Sequence, residues 1–186
     1  MNRFTLISSM SLALSLAALT SHAASSGYVD IGQFKPADGC QFVEVNLHAP
    51  LLKLAALFVD KDEPDAAALI RSLEHVRVNV VGYNEKTQTD TTDKVKAVRR
   101  DLEAQGWERM VIAQEGGKAQ DVAIYVKMGD NDSIAGLVVT VMDSGKHEAV
   151  IVNIVGNIKP EQVAAIGKGL HIDPLAKLAI HTGHKT

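Results

Sequence analysis

The 186-residue chain holds a single cysteine, Cys40. No intrachain disulfide can form, and no cysteine-rich zinc site can be built. A lone thiol could bridge two copies in an oxidising compartment, although its commoner role is that of a small buried apolar residue. Charge of one sign is also missing. There are 19 Lys and Arg against 22 Asp and Glu, a formal net charge of −3, and no basic run. That balance argues against nucleic acid as a partner. No apolar run reaches the roughly 20 residues that a comfortable membrane span needs. The sequence also lacks G-x-S-x-G, H-E-x-x-H, a Walker loop and C-x-x-C, and no solenoid period recurs. These absences leave no catalytic residue and no cofactor to assign, and they lean against an enzyme.

What is present begins with an address. Asn2-Arg3 gives a positive start, residues 4–20 are uncharged, and Ser21-His22-Ala23 supplies the small residues that a signal peptidase inspects. Residues 1–23 read as a signal peptide, cut between Ala23 and Ala24. No cysteine stands directly after the cut, so lipid anchoring is not expected. The expected location is periplasmic or secreted, with no stable membrane span after cleavage.

The rest reads as one domain, 24–173, with a C-terminal extension over 174–186. Alternating apolar residues predict strands over 40–47, 76–83, 108–114, 120–128, 134–142 and 148–155. Turn residues join the later strands: Gly116-Gly117, the 129–132 stretch and Asp143-Ser144-Gly145. Pro50, Pro64 and Pro160 stand where helices start. The first helix should be well buried, with Leu51, Leu54, Ala55 and Phe58 on one face. The second places Ala66, Leu69, Ile70 and Leu73 inside. A third runs from Asp93 to Gln105 after a polar loop over 84–92, and Gly106 caps it in a left-handed conformation. Pro174 ends the last helix, and residues 175–180 add a further turn or two. The stretch from 151 to 162 is a strand handing over to a helix, with a bend at Gly156-Asn157. Glu161 occupies the positive helix end that a bound anion would otherwise use.

This order predicts an α+β fold: a mostly antiparallel sheet of about six strands with helices packed on one face. The strand phases align. Val43, Val45, Val76, Val78, Val80, Val122, Ile124, Val126, Leu137, Val139, Val141, Val150, Val152 and Ile154 should share the covered face. Glu44, Asn46, Arg77, Asn79, Tyr125, Lys127, Thr140 and Asn153 should share the open one. Such an open polar face could meet a protein, peptide or glycan of the cell envelope, although a wetted sheet is polar for solvation alone.

Two ligand-type clusters remain. His171, Asp173, His181 and His184 carry donors suited to zinc or copper, but their spacing fits no rigid template. Asp130-Asn131-Asp132 has calcium-like side chains but no downstream acidic ligand, and reads better as a turn. A metal-binding protein, or an enzyme built from dispersed residues, is therefore the alternative to a binding module.

Several blocks in order carry a resemblance: 27–34, 42–64, 76–81, 105–111, 134–141 and 152–173. Together they resemble the uncharacterised bacterial family named domain of unknown function 4252. The resemblance implies an exported protein, often periplasmic or lipid-anchored, with no established activity. It carries no catalytic residues over to this chain. The leading expectation is a non-enzymatic binding module in envelope maintenance or stress signalling.

Overall fold

The computed structural model describes residues 27–59, 63–114 and 120–169. Their order is strand β1 (Phe42–His48), helices α1 (Ala49–Ala55) and α2 (Pro64–Ser72), β2 (Leu73–Gly82), α3 (Gln88–Ala104), strands β3 (Glu108–Gln114), β4 (Gln120–Met128), β5 (Ile134–Asp143) and β6 (Glu148–Ile158), then a single 3-10 turn and α4 (Val163–Gly169). The six strands form one antiparallel sheet in the order β1-β2-β6-β5-β4-β3. The α+β class and the strand-and-helix order are those expected from the sequence. Gly116-Gly117 and residues 170–186 lie outside the described residues, and so do the proposed cleavage site and the four C-terminal donor residues.

The register bears out the phase of the five strands for which one was expected. Val45 pairs with Val78, Val78 with Val152, Val152 with Val139, and Val139 with Ile124. This row and its neighbours build one apolar core with Leu52, Leu69, Val163 and Ile166, from α1, α2 and α4. Fully burying side chains of valine or leucine size is worth about 1.5–3 kcal/mol each, which makes this layer a main support of the fold.

The opposite face is not left to water. Val95, Val98 and Leu102 of α3 pack there against Ala123, Tyr125, Val138 and Ile151. Val29, Ile31 and Phe34, from an extended strap before β1, join the same cluster. Three helices thus lie on the expected side, while α3 and the strap cover the side expected to stay open. A helix with Val95, Val98 and Leu102 on one stripe must bury that stripe, and the first face is already occupied.

Local differences have local causes. α3 begins at Gln88, inside the expected loop, because Asn84 folds the chain into a helical start. Its side-chain oxygen accepts from the Lys86 and Thr87 amides at 3.0 and 3.2 Å. Its carbonyl accepts from the Gln88 amide at 2.9 Å. β6 continues through Gly156-Asn157, and the expected bend takes the form of an irregularity inside the strand, where the register shifts against both β5 and β2. At the other end of α3, Gly106 takes φ +75°, and the Trp107 amide donates to the Leu102 carbonyl at 3.0 Å. That is the expected cap, and it turns the indole into the core.

Candidate functional site

The eight sheet residues do share one face, and the register makes this explicit. Asn46 pairs with Arg77, Arg77 with Asn153, Asn153 with Val138, and Val138 with Tyr125. Four of the eight cannot meet a partner. Asn79, Tyr125, Thr140 and Asn153 are each no more than 1% exposed. In three of them, Asn153, Thr140 and Tyr125, the polarity serves the inner layer instead. Asn153 accepts from the Val29 amide at 3.2 Å and donates to the Gly27 carbonyl at 3.1 Å, which pins the strap. Thr140 accepts from Arg99 Nε of α3 at 2.8 Å. The Tyr125 hydroxyl donates to Glu103 at 3.2 Å, and burial, followed by that carboxylate, raises its pKa.

The other four lie nearer the margin. Lys127 is half-buried and donates to the Gln105 carbonyl at 2.6 Å, closing the end of α3. Arg77 donates to the Gly32 carbonyl and pairs with Glu44, each at 3.2 Å. Glu44 and Asn46 stand exposed on β1. Asn46 bonds His75, whose ring stacks between Tyr28 and His48. Burial, then His48, then Arg77 lower the His75 pKa.

A second surface was not foreseen. α1 is apolar around most of its circumference, but only Leu52 and Ala56, one turn apart, face the core. The expectation of a well-buried helix is therefore corrected. Leu51 and Leu54 are about half exposed, and Leu57 and Phe58, in the turn that follows, are 70% and 81% exposed. The sheet below can cover one side of a short helix, and among the described residues nothing covers the other. A groove of about 510 Å³ lined by Lys53, Leu54, Leu57 and Arg71 opens there. Contiguous exposed apolar surface rimmed by charge is the usual mark of a contact site. The signal was legible in the apolar run after Pro50, which only Lys53 interrupts, because no helix this short at a sheet's edge can bury all its sides.

Among the described residues no three His, Cys, Asp or Glu side chains come together as a metal site. Asp130, Asn131 and Asp132 form the turn between β4 and β5, with Asn131 and Asp132 at positive φ. Glu161 is exposed in the turn before α4, where the Lys159 amide donates to Gln162 Oε1 at 2.9 Å. Cys40 is a half-buried free thiol. No helix among the described residues is long and apolar enough to cross a membrane.

The described residues define an α+β module: a six-stranded antiparallel sheet covered on both faces, with an exposed apolar surface on α1 and the turn after it. Residues 35–166 match the family described as Domain of unknown function (DUF4252), and the chain belongs to that family. Comparison with curated proteins and with solved structures gave no match. The strap residues Val29, Ile31 and Phe34 precede the matched region, although they are part of the core.

Proposed function

We propose that this chain is an exported, non-enzymatic binding module that engages a protein of the cell envelope, in envelope maintenance or stress signalling. The observation that carries the reading is the exposed apolar surface of α1 and the turn after it. Leu54 and Leu57 border a groove that Lys53 and Arg71 flank. An amphipathic helix fits such a groove, its apolar side on the leucines and its carboxylates toward the two cations. The uncharged N-terminal stretch and the Ala23–Ala24 cleavage signal support export.

A photoreactive side chain at position 57, in cells producing the full chain, tests the reading. The expected result is attachment to one envelope protein, lost when Leu54 is changed to Asp. Because Leu54 is half exposed, that substitution should leave stability within about 0.5 kcal/mol. Attachment only within the chain itself would overturn the proposed surface. N-terminal sequencing of the purified protein checks export, and the expected first residue is Ala24.

A further inference from the structure

A cleft of about 250 Å³ lies on the opposite face of the sheet, between α3 and the β3–β4 pair. Its helical wall is Lys96, Arg99, Arg100 and Glu103, which stand at i, i+3, i+4 and i+7 on one side of α3. Its strand wall is Arg109, Ile112, Ala123 and Tyr125. The register explains the second wall: Arg109 pairs with Tyr125 and Ile112 with Ala123, and a bulge between the two pairs keeps both strand-β3 residues on the same face. Four cations thus converge on a cleft that holds one carboxylate, in a chain whose net charge is negative.

The cations are unequally used. Arg109 is held by Glu103 at 3.0 Å. Arg99 donates Nη1 to Asp121 at 2.9 Å and Nε to Thr140 at 2.8 Å. Its third nitrogen, Nη2, is buried without a hydrogen-bond partner, as is the second oxygen of Asp121. Lys96 and Arg100 are exposed and make no ion pair among the described residues. Arg99 lines the cleft as an ion-paired guanidinium, and Lys96 and Arg100 supply the unpaired positive charge that an anion oxygen meets best. Thr140 and Asp121 hold Arg99 in place in advance, so little freedom is lost on binding. The buried Tyr125 hydroxyl is kept protonated, so it adds no negative charge to the cleft. Ile112 and Ala123 offer the only apolar wall.

We infer that this cleft binds a small phosphate-type dianion attached to a compact apolar body, with Arg99, Arg100 and Lys96 meeting the charge and Ile112 the body. The site is separate from the α1 groove, and either could fail without the other.

Calorimetric titration of the full-length protein with phenyl phosphate, inorganic phosphate, sulfate and acetate tests the inference. Phenyl phosphate should bind one per chain, about threefold or more tighter than inorganic phosphate because Ile112 adds apolar contact. Acetate should bind weakest. Arg100→Glu and Lys96→Glu alter exposed residues and should keep the fold. Each should weaken phenyl phosphate about tenfold, consistent with loss of one charge-assisted contact. Arg71→Glu, in the other groove, should leave this affinity unchanged. Absence of saturable binding overturns the inference. So does equal weakening by Arg71→Glu, or equal binding of all four anions, since either result would mean general surface charge.

Discussion

Asn79 is a single residue whose surroundings do not match its chemistry. It is 1% exposed, and neither its amide oxygen nor its nitrogen has a hydrogen-bond partner. Its cross-strand neighbours are Glu44 and Ile151. An amide shut away without partners is a net loss that an apolar side chain of similar volume avoids. Asn79→Leu should therefore stabilise the protein by about 1 kcal/mol and raise Tm by about 2–4 °C in thermal unfolding. A fall in Tm would mean that the amide has a partner in solution. His75 makes a pH-dependent contribution. It is 7% exposed, and burial is the main reason its pKa lies below the ordinary imidazole value. In the unfolded chain the ring takes up a proton near pH 6.5, whereas in the fold it does so only at lower pH. The unfolded state therefore binds more protons in that interval. The contribution of the neutral ring is complete above about pH 6.5 and is lost as pH falls through the folded pKa. Denaturation midpoints of the native protein should fall more steeply between about pH 7 and 5 than those of His75→Gln. Parallel slopes would contradict this assignment.

Among the elements, the strap before β1 depends on a close backbone approach between Gly27 and Gly136. A methyl group at Gly136 would lie 2.5 Å from Gly27 Cα and 2.6 Å from Trp107 Cη2. Only a residue without a side chain lets the strap lie flat on β5, where Asn153 then ties it down. Gly136→Ala should destabilise the protein by about 2 kcal/mol through overpacking. Hydrogen exchange should show residues 27–34 losing protection before the rest of the sheet does. The strap itself could not be read from the sequence. "GYVDIGQF" has two glycines, mixed polarity and no sustained period, so neither helix nor strand is indicated. The strands were readable because alternation with period two survives any arrangement of the sheet. The buried side of α1 was not, because a helix apolar nearly all round gives no direction. Only the positions of Leu52 and Ala56 over the sheet decide it.

At the scale of the whole molecule, sidedness was legible and coverage was not. The sequence separates Val78 and Val152 from Arg77 and Asn153, but it does not say how many layers lie above each set. Polar residues on a sheet face suit either water or a network beneath a helix. Arg99 bonding Thr140, and Asn153 bonding the strap, show that the network is what formed. The candidate sites were less legible than the fold for the same reason. The basic stripe on α3 looks like an ordinary solvated helix face until the β3 bulge brings Arg109 and Ile112 opposite it.

The strand order also determines when the molecule can become itself. β6, the last strand among the described residues, lies between β2 and β5 and is hydrogen-bonded to both. During synthesis the earlier strands can form only two separate ribbons, β1 with β2 and β3 with β4 and β5. Pairings this distant in sequence form slowly. A chain that emerges N-terminus first is delivered without its keystone, and the seam can close only once residue 158 is free.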